Sequence, residues 1–126
     1  MNPDDPDAVL DRLGRCSTDD PRLVSVYVPP ERLVDEVIVF LGDEHAEAGE
    51  LSEERRQHVE GALVRLQDRL TEYDTPPENG MALFCGRVDD EWIEATLESP
   101  PRSVGTFRYS CEEIFLTEAY RELLAG

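Results

Sequence analysis

Lysine is absent from this chain. All 12 basic residues are arginine, set against 29 Asp and Glu for a formal net charge of −17 at pH 7. Long apolar runs are missing too. No stretch approaches the roughly 20 residues that span a bilayer, so a soluble chain with no membrane partner is expected. The start, Met1 to Asp7, is acidic and proline-rich, without the basic and apolar segments of a signal peptide, so a cytoplasmic protein is expected. Cys16, Cys85 and Cys111 are odd in number and form no Cys-x-x-Cys pair, which argues against a disulfide framework. His45 and His58 add too few soft ligands for a structural zinc. Neither a phosphate-cradling glycine loop nor an activated Ser or Cys nucleophile is present. Carboxylate clusters arise from composition alone in so acidic a chain. The expectation is therefore no enzyme, no cofactor and no metal.

The charge has two readings. One is an acidic protein that nucleic acid would repel at ordinary salt. The other is a cytosol holding molar potassium, where the Debye length shrinks to about 3 Å and a dense acidic surface hardly repels an RNA partner. The missing lysine fits the second reading, together with a GC-rich genome that favours arginine codons. In that setting the charge argues neither for nor against binding to RNA.

With 126 residues and no repeat, one domain is expected. Residues 1–8 read as a flexible acidic tail and 9–126 as the domain. Val9, Leu10 and Leu13 form a short helical stripe that stops at Gly14. Leu23 to Val28 is rich in β-branched residues and ends at Pro29-Pro30, as a buried strand would. A helix opens at Pro30 or Glu31, with Leu33, Val34, Val37, Ile38 and Leu41 on one face. Gly42 to Leu51 loses that period and reads as a loop. Ser52 then caps a second helix whose stripe runs Val59, Leu63, Leu66, Leu70 and Tyr73. Met81–Gly86, Trp92–Glu98 and a segment starting at Gly105 read as strands, the second nearer an edge because it alternates. Leu116 to Leu124 closes with a short helix. The fold class is α/β (α+β): a single four-stranded sheet packed against a long antiparallel helix hairpin.

Tyr109-Ser110-Cys111-Glu112-Glu113-Ile114-Phe115 resembles the Tyr-x-Cys-x-x-x-Phe element in the decoding (N-terminal) domain of archaeal and eukaryotic class-I peptide chain release factors. Further landmarks occur in the same order. Ser25 to Pro30 is similar to the family's first strand and its double proline. Gly42-Asp43-Glu44 resembles the end of its second helix, where an acidic residue helps to read the codon, a role that would fall on Glu44. Pro77 to Gly80, Phe84 to Gly86 and Leu116 to Ala119 also match, so the similarity spans roughly residues 9–124. It implies a release-factor N-domain-like fold, a place at or near the ribosomal A site, and rRNA and mRNA as partners at high salt. The organism implied is a halophilic archaeon. The family's catalytic Gly-Gly-Gln loop occurs nowhere in the sequence. A stand-alone homologue is therefore expected to act in termination, ribosome regulation or rescue, with any peptide release supplied by a separate release-factor or GTPase chain in trans.

Two departures stand out. Where the family carries Asn-Ile-Lys-Ser, with a lysine that contacts the uridine of a stop codon, this chain has Ala48-Gly49-Glu50-Leu51-Ser52. A carboxylate cannot donate to a uracil carbonyl as an ammonium does. Where the family carries Gly-Thr-Ser, this chain has Asp20-Pro21-Arg22. An alternative function follows: a protein–protein interaction module that kept the fold and lost RNA recognition.

The RNA-facing residues implied are Glu44, Gly49, Glu50, Leu51, Ser52, Arg55, Arg56, Tyr109, Cys111 and Phe115. Each has a plainer reading. Tyr109 and Cys111 share a strand face and would pack in any sheet. Phe115 suits a core. Glu44 and His45 suit a solvated helix end, and Arg55-Arg56 beside Glu53-Glu54 suit a salt-bridged surface. Arg65, Arg69 and Arg87 are expected to pair with acids.

Overall fold

The computed structural model describes residues 5–125. In chain order the elements are α1 (Pro6–Gly14), β1 (Leu23–Val28), α2 (Val34–Glu47), a 3-10 turn (Ala48–Glu50), α3 (Glu53–Leu70), β2 (Met81–Val88), β3 (Glu91–Glu98), β4 (Arg108–Glu112) and α4 (Glu118–Ala125). The strands form one antiparallel sheet in the order β3-β2-β1-β4. The alternating strand, β3, is an edge, as its pattern predicts.

Both faces of the sheet are covered, where the periodicity predicts one. Val24, Val26 and Val28 of β1 join Met81, Leu83 and Cys85 of β2 beneath α2 and α3. Leu23, Tyr27, Ala82 and Phe84 point the other way, into a second cluster with Leu10 and Leu13 of α1, Tyr120 of α4, Val104 and Phe115. Double burial explains why β1 is apolar throughout rather than alternating. Ser25 is the polar exception on β1. It is fully buried, and its Oγ accepts the amide of Leu116 at 2.9 Å. The Tyr27 hydroxyl accepts the Tyr120 amide at 3.1 Å and donates to the Leu116 carbonyl. These bonds fasten the segment before α4 to the centre of the sheet. They also explain why that helix starts at Glu118 and not at Leu116.

Gln67 Nε2 donates to the Ile38 carbonyl at 3.0 Å, and His45 approaches Glu60 at 3.4 Å, so α2 and α3 run in opposite directions. The predicted loop from Gly42 is not there. α2 continues through Gly42 to Glu47, and the turn that follows is three residues long. At Gly42 a Cβ would meet only the tip of the Gln67 side chain, at an ordinary 3.4 Å, so the glycine sits inside the helix without breaking it. α2 also begins later than predicted, at Val34, because residues 30–32 form a separate turn closed by Arg32 N to Pro29 O at 3.2 Å. Ser52 occupies the N-cap of α3 but makes no side-chain capping bond. β4 starts at Arg108, three residues past its predicted start at Gly105.

α1 begins at Pro6, with the Asp5 carboxylate accepting the Asp7 amide. Residues 6–8, read above as tail, are therefore helical. Residues 1–4 of that tail lie outside the described residues.

Candidate nucleic-acid interface

The end of α2, the 3-10 turn, the start of α3 and β4 meet around an open cleft of about 430 Å³. α2 supplies Glu44 and Glu47, the turn supplies Glu50, and α3 supplies Arg55 and Val59. β4 supplies Tyr109 and Cys111, which lie opposite Val26 and Val24 of β1 and so share the face under the helices. The antiparallel packing of α2 and α3 brings the helix ends over β4.

Phe40 packs edge-on against Tyr109 at 5.4 Å and against Phe107 at 5.1 Å. Tyr109 is half-buried there. Burial, then Cys111 and Glu44, push the Tyr109 hydroxyl well above its usual range, so it stays a donor at any physiological pH. Burial likewise raises Cys111, partly offset by Arg55, and keeps it a neutral thiol. Among the described residues Arg55 is the one cation in the lining. Its Nε donates to the Pro21 carbonyl at 2.7 Å, fixing the head of α3 to the segment before β1.

Glu44 is raised by burial first, and then by its carboxylate neighbours Glu47 and Asp43. A carboxyl raised in the fold supports stability below its unfolded value of about 4.3 and loses that support as pH climbs through the folded value. Glu44→Gln is accordingly expected to stabilise the domain by about 0.2–0.5 kcal/mol at pH 7, the size of a like-charge pair one helical turn apart. The gain should vanish at pH 4. Urea midpoints at the two pH values read both results.

Of the ten residues implied above, Glu44, Glu50, Leu51, Arg55, Tyr109 and Cys111 come together in the cleft. Gly49 and Ser52 are exposed at the tip without lining it. Arg56 turns away to Glu60 at 3.4 Å. Phe115 has to be removed from the set. It is 2 % exposed on the opposite face of the sheet, edge-on to Phe84 at 6.0 Å, because the chain crosses to that face after β4 ends. Glu47, Ala48 and Val59 line the cleft and are missing from the set. Helical spacing from Glu44 and Arg55 would have found Glu47 and Val59.

On the other flank of α3, Arg22 is held by Asp20 at 2.5 and 2.8 Å, by Glu54 at 3.2 Å and by His58 Nδ1 at 2.7 Å. Arg65 stacks over Trp92 at 3.8 Å. Gly61 makes room for that indole, since a Cβ there would lie 2.7 Å from it. Arg69 pairs with Glu72, and Arg87 lies 4.0 Å from Asp90. Among the described residues no group of three or more His, Cys, Asp or Glu side chains could hold a metal ion, and no helix is long and apolar enough to cross a membrane.

Residues 7–125 match the family described as eRF1 domain 1. The chain belongs to that family. As an eRF1 domain 1 it is 34 % identical over 123 residues to peptide chain release factor subunit 1 of Methanosarcina mazei, covering 94 % of this chain and 29 % of the relative. It is also 34 % identical over 107 residues to the same factor of Methanococcoides burtonii, covering 81 % and 26 %. The solved archaeal translation termination factor aRF1 superposes on it with a TM-score of 0.87 at 28 % identity, over 98 % of this chain and 35 % of that one. This eRF1 domain 1 thus spans under a third of the length of these curated relatives.

Proposed function

We propose that this eRF1 domain 1 acts in translation termination or ribosome regulation and rescue, binding rRNA and mRNA at or near the ribosomal A site without a hydrolytic step of its own. The carrying observation is the cleft. The Tyr109-Cys111 strand and the Glu44–Arg55 helix tip, distant in sequence, are brought to one surface of a domain that superposes on an archaeal termination factor. Tyr109 offers a hydroxyl donor beside its ring edge, and Arg55 offers a guanidinium, the groups that stack on and hydrogen-bond unpaired bases. Release of a peptide would come from a separate release-factor or GTPase chain in trans. The partner surface is the one that the α2–α3 hairpin overhangs. The working environment is the cytoplasm of a halophilic archaeon, at potassium concentrations that screen the carboxylates.

A second reading has its own observation. Glu44, Glu47 and Glu50 outnumber Arg55 at the cleft, which favours a cationic protein surface over RNA. The two readings separate in one experiment, cosedimentation with archaeal ribosomes in multimolar KCl, whether empty, stop-programmed or stalled. The first expects binding to at least one of these states and a loss on Arg55→Ala of about tenfold, the scale of a single hydrogen-bonded charge. Absence from all three states would remove it. A protein partner captured at native salt, with ribosome association indifferent to Glu50 and Arg55 substitutions, is the result expected of the second.

A further inference from the structure

The segment Asp20-Pro21-Arg22 links α3 to the cleft. Arg22, with 12 % of its side chain exposed, points to one flank. Its Nε and Nη2 take both oxygens of Asp20, and its Nη1 is shared between Glu54 and His58 Nδ1. A guanidinium only donates, so His58 Nδ1 must hold a lone pair and the ring proton resides on Nε2. The neighbouring Pro21 carbonyl faces the cleft. There it accepts Arg55 Nε at 2.7 Å and, at longer range, the Cys111 thiol at 3.9 Å. One short segment is thus fastened to His58 on one side and to two cleft residues on the other.

We propose that His58 is a pH-sensitive positioning residue for the cleft: neutral, it holds Arg22 and through Pro21 fixes Arg55 and Cys111, and protonated at Nδ1 it releases them. Protonation removes the acceptor and places a second cation 2.7 Å from the guanidinium. The functional consequence rests on the RNA-facing reading of the cleft, whereas the coupling from His58 to Arg55 does not.

The groups facing His58 come from every side. Arg22 approaches from the segment before β1, Arg87 from β2, and Glu54 from one turn earlier on α3. Asp20 stands behind Arg22, and Asp19, Asp89 and Asp90 line the same hollow. The Trp92 ring of β3 lies edge-on at 6.4 Å. Burial, then Arg22 and Arg87, hold the imidazole below its usual range against the opposing pull of Glu54 and Asp20. A histidine depressed in the fold supports stability above about pH 6.5, and that support is lost as pH falls through the folded value. The pair is therefore intact at neutral pH and opens only on acidification.

The test follows the His58 ring and the Arg55 Nε–H by ¹⁵N NMR of the whole chain in high KCl, from pH 8 to 4.5. The Arg55 resonance should move with the His58 midpoint. In His58→Gln, whose amide oxygen still accepts from Arg22, it should stay flat. In Arg22→Gln the His58 midpoint should rise, and the Arg55 resonance should no longer follow it. An Arg55 signal that ignores the His58 titration in the unaltered chain overturns the proposal. So does one that still moves at the same midpoint in His58→Gln, since Glu44 would then be the cause. Ribosome cosedimentation at pH 7.5 and 5.5 adds the consequence: a loss of several-fold on acidification that His58→Gln abolishes. If no ribosomes are bound at either pH while the Arg55 shift persists, the RNA reading fails and the coupling stands.

Discussion

Gly80→Ala is expected to unfold the domain or lower its melting temperature by at least 10 °C. Gly80 has φ +87°, and it follows Asn79 at φ 66°, so two successive residues take the left-handed conformation as the chain enters β2. Alanine there costs about 1–2 kcal/mol for the backbone alone. The larger cost is steric. A Cβ would lie 2.3 Å from the Val28 carbonyl oxygen and 3.1 Å from the Val104 Cβ. The carbonyl belongs to the end of β1, where Val28 lies opposite Met81, so it cannot retreat without opening the β1–β2 ladder. Gly80 also accepts the Ser99 amide at 3.0 Å, and Asn79 accepts that of Val104 at 2.9 Å, so the same turn anchors the segment between β3 and β4. A combined cost of about 3 kcal/mol or more is a large part of the 5–15 kcal/mol that holds a domain folded. Thermal melts by circular dichroism decide it, with Gly49→Ala as the control, since no atom lies within 4 Å of a Cβ there. A Gly80→Ala protein that melts within about 2 °C of the unaltered chain would refute the argument.

The same turn shows what could be read from residue order. Pro76-Pro77-Glu78-Asn79-Gly80 signals a turn with a positive φ by composition, and the structure places one at Gly80. The strands were legible because β1 and β2 are apolar runs bounded by proline and glycine. The second covering layer was not. α1 carries only a short stripe, and Tyr27 and Phe84 cannot be assigned to a face until the pairing of β1 with β2 is known. Gly42 misled for a physical reason: glycine often ends helices but is also tolerated inside them at a modest cost, and one sequence cannot separate the two cases. In the cleft, alternation showed that Tyr109 and Cys111 share one face, and the resemblance alone pointed to that face as a site. For Phe115 the core reading holds and the RNA-facing one fails, because the same motif spans the end of β4 and the crossing to the other face. The clamp on Arg22 was invisible, since it joins residues 36 positions apart.

Dilution from molar KCl to about 0.1 M is expected to loosen or unfold the domain. Even with every arginine paired to one carboxylate, 29 acids against 12 bases leave 17 uncompensated. A domain of this length has a radius of gyration of about 14 Å, against roughly 36 Å unfolded, so folding concentrates the charge. The Debye length is about 3 Å at 1 M and about 10 Å at 0.1 M. Spheres of these proportions carrying this charge differ in self-energy so that dilution disfavours the folded state by on the order of 5 kcal/mol. That matches the lower end of ordinary domain stability. The pairs seen here cannot hold it off, because each has at least one exposed partner, as Arg32 with Glu36 and Arg121 with Asp11 do, and surface pairs contribute about 0–1 kcal/mol each. Melting temperature against KCl concentration measures the effect. A second series in NaCl tests that screening and not the particular cation is responsible, and the two curves should nearly coincide. A melting temperature indifferent to dilution would mean that the carboxylates are already neutralised by protonation or bound ions, and the molar-salt reading of the composition would fall with it.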